Sequence, residues 1–302
     1  MKKIVVSHKK PLSPNNKNLG LYPPCTYQGA KQRVSKEIVD YIISNELIYP
    51  SKGGTNIYDL CCGSGAITVE FLNRGVHPNN IVMCDCSSWG KFWKSIGEGS
   101  FSLDKWHWWV NQVPKDKNLI QGFMIELSKI DAIEDEEYKY LLLQSCSFGG
   151  KQIWREGNQW KNASFRSYWQ PTPTSKRQSP VNPMQPSIDT LNSRVETLCE
   201  KAYGVSVVHD DINSIHNIIK YDGAVSRVVY IDPPYDNTTG YGFNFNRSDF
   251  LSEIFNNTLS PIYVSECKPI SDECIRLNFN GAKGGMSGKK SCKNEEWLSV
   301  FR

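Results

Sequence analysis

No stretch of this 302-residue sequence approaches the roughly 18 consecutive apolar residues of a membrane-spanning helix. Its first residues, Met1-Lys2-Lys3-Ile4-Val5-Val6, lack the long apolar region of a secretory signal. These absences predict a soluble, intracellular protein. None of the ten cysteines has the C-x-x-C spacing of a zinc site, which argues against a metal centre, and Cys61, Cys62, Cys84 and Cys86 sit in apolar segments. In a chain of this size that pattern predicts buried free thiols rather than a disulfide framework. Acid is scarce in one place. Between Lys151 and Arg177 the only acidic residue is Glu156.

What is present is enough apolar material, 39% of the residues, for one large domain or two of ordinary size. The net charge of +4 says little about partners, but its distribution says more. Lys151, Arg155, Lys161, Arg166, Lys176 and Arg177 alternate with Trp154, Trp160, Phe165, Tyr168 and Trp169. Cations for phosphates and rings for bases or sugars are the mixture a nucleic-acid surface needs, and the alternative is a basic loop packed on its own domain.

The chain is organised around Val228-Val229-Tyr230-Ile231-Asp232-Pro233-Pro234-Tyr235. A β-branched apolar run ended by a carboxylate and two prolines reads as a buried strand and a rigid turn at its C-terminal edge. Upstream, residues 1–20 read as a mobile or loosely docked arm. Tyr27-Gln28-Gly29-Ala30-Lys31 then leads into a helix marked by Val34, Ile38, Tyr41 and Ile42. Ile57 to Cys62 reads as a strand, Gly63-Ser64-Gly65 as a tight turn and Ala66 to Leu72 as a helix start. A G-x-G between strand and helix lets the backbone approach a nucleotide-like ligand closely. The pyrophosphate-binding fingerprint would place a third glycine at position 68, where Thr68 stands instead, and Asp59 precedes the turn. That suits a ligand with charged amino-acid and sulfonium groups. Ile81 to Cys84 is the next strand, and the Asp85 that ends it is placed to accept hydrogen bonds from ribose hydroxyls.

From about Trp89 to Pro186 the pattern is irregular, with a helix expected at Glu136 to Cys146 and a proline-rich segment from Pro171 to Pro183. Regularity returns with a Ser187-capped helix whose stripe is Ile188, Leu191, Val195, Leu198 and Ala202. Strands at Val205–Val208 and Pro261–Glu266, a helix from Asp249, a turn at 281–290 and a last strand at Glu296–Phe301 complete the reading. Asn237 to Gly242 reads as a polar loop able to fold over a base.

D-x-x-x-G-x-G from Asp59, an acid ending the next strand and D-P-P-Y at Asp232 resemble the class I S-adenosylmethionine-dependent methyltransferases. Within them the order is similar to the Dam-like DNA adenine-N6 enzymes of the alpha arrangement, many of them phage-encoded. Tyr27-x-Gly29-x-Lys31 resembles that family's N-terminal cofactor motif. The resemblance covers roughly 22–90 and 200–302. It implies a Rossmann-like α/β fold: a mostly parallel seven-stranded sheet with a closing antiparallel hairpin. The catalytic domain would comprise 21–90 and 200–302, after an arm at 1–20, and 91–199 would be an inserted target-recognition region. S-adenosylmethionine would be held by Tyr27, Gly29, Lys31, Asp59, Cys61, Gly63, Ser64, Gly65, Asp85 and, by register with Ile212, Asp211, with Asp210 the alternative. Double-stranded DNA would be contacted by Lys151, Arg155, Arg166, Lys176, Arg177 and Tyr241. The protein would act in the cytoplasm of a prokaryotic or phage-infected cell, as a monomer or a dimer.

The chemistry asks for these residues. The adenine amine is a weak nucleophile because its lone pair is delocalised into the ring. Acceptors aimed at its N–H protons, here Asp232 and the Pro233 carbonyl, favour the localised geometry, while Pro233 and Pro234 keep the acceptors fixed. Tyr235 offers a ring for the flipped base. The alternatives are a cytosine-N4 or RNA-base enzyme, and a non-catalytic DNA-binding protein of the same fold.

Overall fold

The computed structural model describes residues 11–13, 19–224, 226–234, 247–258, 260–278 and 295–302. The expected turn at 281–290 and the loop from Asn237 to Gly242 lie outside them.

Leu12 is buried and its amide donates to Ile48 O at 2.8 Å, so this part of the expected loose arm is docked. Leu21 exchanges two hydrogen bonds with the Asn73 side chain. Helix α1 (Ser35–Asn45) buries Ile38, Val39, Ile42 and Ile43, the stripe that the 3.6-residue spacing predicts. Strand β1 (Thr55–Leu60) leads through the glycine turn into α2 (Ala66–Asn73), which is buried on every side, and β2 (Ile81–Cys84) follows.

The segment read as irregular holds three further helices before the expected one. They are α3 (Ser88–Glu98), α4 (Leu103–Gln112) and α5 (Lys117–Leu127), followed by α6 (Glu136–Cys146) at its expected bounds. Each of the three opens on a side-chain cap: Ser87 accepts from Trp89 N, Ser102 from Lys105 N and Asp116 from Asn118 N. The aromatic-rich α3 and α4 have modest intrinsic propensity, so caps and burial decide them. A short hairpin, β3 (Trp154–Glu156) with β4 (Gln159–Lys161), precedes the proline-rich segment. Then come α7 (Ile188–Lys201), capped by Ser187 as expected, and β5 (Ser206–Val208). After them lie α8 (Ile215–Lys220), β6 (Ser226–Ile231), α9 (Arg247–Asn257), β7 (Ile262–Glu266), β8 (Glu273–Arg276) and β9 (Trp297–Phe301).

Seven strands form one mixed sheet in the order β5-β2-β1-β6-β7-β9-β8. The first five run parallel, and β9 runs antiparallel between β7 and β8. The architecture is α/β with a mostly parallel sheet and a small separate hairpin. Residues alternate in strict period two along the central strands. Ile57, Val228 and Tyr230 join the larger core, with α1, α3, α6 and α7, while Tyr58, Leu60, Val229 and Ile231 join the smaller one, with α8 and α9. Both faces are covered, which is why these strands read as unbroken apolar runs. The expected boundary at residue 90 falls inside α3, and the larger core runs from Leu12 through Trp106, Leu141 and Leu191 to Val300 without a break.

Candidate active site at the carboxyl edge of the sheet

Four parallel strands end side by side. Asp232 N donates to Leu60 O at 3.1 Å, Cys62 N to Cys84 O at 3.1 Å and Asp85 N to Val208 O at 3.2 Å, so the ladder carries each chain just past its strand. The chain leaves β1 for β2 on one side and returns as β6 on the other, a reversal that opens a crevice where α/β sheets bind ligands.

The Tyr27–Lys31 segment is brought to this edge. Gly29 takes φ +83°, Ala30 N closes a turn on Tyr27 O at 3.2 Å, and Gln28 N donates to Gly150 O at 2.7 Å. The Lys31 ammonium is buried. It donates to Gly29 O at 3.0 Å, lies 2.6 Å from Asp232 Oδ1 and 3.5 Å from Glu296 Oε1. Burial pushes the Asp232 carboxyl up, to about 6; Lys31 holds it down and Glu296 adds to the rise. Pro233 is buried and Pro234 half-buried, while Tyr235 and Tyr241 lie outside the described residues.

The glycine turn has a tighter constraint than ligand approach alone. Gly63 and Gly65 take φ +49° and +73°. A Cβ on Gly63 would come 3.0 Å from the Tyr27 ring, and one on Gly65 would come 2.3 Å from Trp93 Cζ2. Trp93 is fully buried, and its Nε1 donates to Gly63 O at 3.1 Å. The two glycines are therefore fixed by aromatic side chains pressed against the loop. Cys61, which opens the turn, holds φ +56°, a conformation uncommon outside glycine and found where a site constrains the backbone. The hydroxyl of Ser64 is buried and has no hydrogen-bond partner among the described residues.

Asp59 and Asp85 are more occupied than their expected roles require. Asp59 is buried, and its Oδ2 accepts from Thr68 N at 3.0 Å and Thr68 Oγ1 at 2.7 Å, anchoring the start of α2. Burial raises it to about 7; the Thr68 bonds lower it, and Asp232 and Asp85 raise it further. Thr68, which stands where a third glycine would be, is thus a structural partner of Asp59. Asp85 Oδ2 accepts from Gly63 N at 2.8 Å, and Oδ1 from Ser87 N and Oγ at 2.9 and 2.5 Å. Three of about four acceptor positions on that carboxylate are filled, leaving room for one ribose hydroxyl rather than two. Asp211 is exposed, and its Oδ1 caps Asn213 N at 2.9 Å. Cys84 is buried but Cys86 is exposed, because β2 ends between them.

The basic and aromatic stretch divides. Arg166 is buried: its Nη1 donates to Ser145 O at 3.3 Å and its amide to Cys146 O at 3.0 Å, so its guanidinium is not available to a phosphate. Trp160 stacks on Tyr140 at 6.0 Å, and Phe165 is buried as well. Arg155 Nε donates to the buried Glu136 at 2.9 Å and its Nη1 to Gly157 O. Lys151, Lys176 and Arg177 are exposed, as are Trp169 and Phe148.

Two residues at this edge were not singled out from the sequence as parts of the site. Trp93 follows the Ser87 cap within α3, and that cap was its legible signal. Glu296, at the start of the last strand, had none. A scan against known protein families finds no match for the chain, and no curated protein matches it.

Proposed function

We propose that this chain is a class I methyltransferase that moves the methyl group of S-adenosylmethionine to N6 of an adenine flipped out of double-stranded DNA. One observation carries the reading: the ion pair between Lys31 and Asp232, which joins the Tyr27-x-Gly29-x-Lys31 and D-P-P-Y motifs beside the Gly63–Gly65 turn. The strand order, with a single antiparallel strand next to the edge, supports the same reading.

The residues present fit that cofactor. The unpartnered hydroxyl of Ser64, the left-handed turn from Cys61 and the remaining acceptor position of Asp85 line the edge where its ribose and amino-acid portions would lie. When bound, S-adenosylmethionine supplies an electrophilic methyl group. The chain supplies geometry and charge. Asp232 and the Pro233 carbonyl accept the amine protons, which localises the nitrogen lone pair. Lys31 holds Asp232 ionised against the effect of burial, and the prolines hold both acceptors in place before the base arrives. The exposed Lys151, Lys176 and Arg177 serve the phosphate backbone.

Incubation with methyl-labelled S-adenosylmethionine and either DNA or RNA, followed by nucleoside analysis, tests the proposal. N6-methyladenine in DNA is the expected product. N4-methylcytosine, label in RNA alone, or DNA binding without transfer would overturn it.

A further inference from the structure

Glu296 reaches the candidate site only because one strand runs backwards. The parallel strands present their C-terminal ends at this edge, whereas β9 is antiparallel and therefore presents its beginning there, with Trp297 opposite Glu266 at the end of β7. The residue just before β9 is held in place by its own backbone, since Glu296 O accepts from Leu277 N at 2.8 Å. Its side chain is buried, with 7% relative exposure, and approaches Lys31 Nζ to 3.5 Å. Lys31, equally buried, is thus within reach of two carboxylates, one on β6 and one on β9.

A buried ammonium within reach of two carboxylates couples them: each feels the shared cation and the negative charge of the other. We propose that Glu296 is a positioning residue of this site, sharing the Lys31 ammonium with Asp232 and thereby governing the charge that Asp232 presents to the substrate amine. The proposal rests on the reading of Asp232 as the acceptor for that amine. Were Lys31 given over wholly to Asp232, the carboxylate oxygen would be engaged by the ammonium and less able to accept from a substrate. The ammonium lies nearer Asp232, at 2.6 Å, than Glu296, at 3.5 Å, so Glu296 acts on it as the weaker of two partners and keeps it from belonging to Asp232 alone.

The other groups that bear on Asp232 come from each neighbouring element. They are Asp59 and Cys61 at the end of β1 and Tyr230 on β6, each of which feels its charge. Glu266 closes β7, with its Oε1 accepting from Cys267 N at 2.8 Å. Among these, Glu296 is the carboxylate that shares a cation with Asp232.

The test is a 13C NMR titration of the Asp232 carboxylate in the full-length protein, assigned with an Asp232→Asn control and repeated in Glu296→Gln and Glu296→Asp. Glu296→Gln keeps the shape of the side chain and removes its charge. Its Asp232 midpoint is expected about one pH unit below that of the unsubstituted protein, because a negative neighbour is gone and Lys31 is released to Asp232. Glu296→Asp retains the charge and is expected within a few tenths of a unit of the original. The acid limb of kcat/KM should move with the midpoint. A midpoint that stays put in Glu296→Gln, or that moves equally in both variants, overturns the proposal. So does a Glu296→Gln protein that fails to fold, since the residue would then be supporting the sheet. The titration needs neither cofactor nor DNA, so a failed methyl-transfer assay on the unsubstituted protein counts against the function, not against this pairing.

Discussion

The carboxyl edge of the sheet and the stretch from Lys151 to Arg177 each carry a recognisable pattern, and they fold in opposite ways. At the edge, short motifs far apart in sequence converge until Lys31 touches Asp232 and Gly63 touches Asp85. In the stretch, neighbours in sequence diverge: Arg166, Trp160 and Phe165 turn inward while Lys176, Arg177 and Trp169 remain at the surface. A motif at a strand end inherits its place from the ladder of hydrogen bonds. A loop without periodicity has no such rule, so charge and aromaticity alone do not tell which side chains face water.

The sharpest way to break this contrast is at the edge itself. Asp232→Ala is expected to lower methyl transfer by about 10²–10³-fold while cofactor binding, measured by calorimetry, is largely kept. Activity close to that of the unsubstituted protein would remove Asp232 from its role.

Next in size is the glycine turn. Gly65→Ala forces a Cβ against the Trp93 ring at a left-handed φ, and should destabilise the protein by about 2–4 kcal/mol in urea unfolding. Gly149 shares the left-handed φ, +69°, but a Cβ there would meet none of the described residues within 4 Å, and Gly149→Ala should cost about 1 kcal/mol. Equal losses would mean that backbone conformation, rather than packing on Trp93, fixes the turn.

The divided stretch gives a paired measurement. Arg166→Ala should lower stability by about 1–3 kcal/mol, through lost packing and hydrogen bonding, and leave the salt dependence of DNA binding unchanged. Lys176→Ala with Arg177→Ala should leave stability within about 0.5 kcal/mol and flatten the slope of log affinity against log salt by up to about 2. A flattened slope in Arg166→Ala would return that residue to the surface proposed to meet DNA.

A further comparison within the edge concerns pH. Asp59, raised to about 7 by burial, holds its proton in the native state through a range where the unfolded chain, with a carboxyl near 3.9, has already lost it. The native state binds the extra proton, so this contribution to stability is full below about pH 4 and is lost as pH rises through 7. Asp59→Asn should remove much of the decline in unfolding free energy between those limits, leaving a part from Asp232 that ends near pH 6. An unaltered decline would mean that Asp59 does not carry it.

Much of the sheet was legible because strands buried on both faces leave short, mostly apolar runs rich in β-branched residues, three of them followed by Gly63, Asp85 or Asp232. The runs at 57–62, 81–84, 228–231 and 261–266 became β1, β2, β6 and β7, with β1 and β6 beginning two residues earlier. The helices α3 and α4 were hidden by their tryptophans, and α5 by the Gly122 in its middle, although Ser87, Ser102 and Asp116 marked their starts. Asp59 and Asp85 were legible as acids at strand ends. That each already serves Thr68, Gly63 or Ser87 was not, because hydrogen-bond partners depend on which side chain a turn brings near.

By itself the sequence determined where the central parallel strands lie and which residues stand at their carboxyl ends, because apolar runs and the prolines that stop them act locally. Only the tertiary structure decided that Lys31 is shared between Asp232 and Glu296. That arrangement needs β6 to pair with β1, and β9 to run antiparallel beside β7, and strand pairing across a whole chain is a long-range choice that no local pattern records.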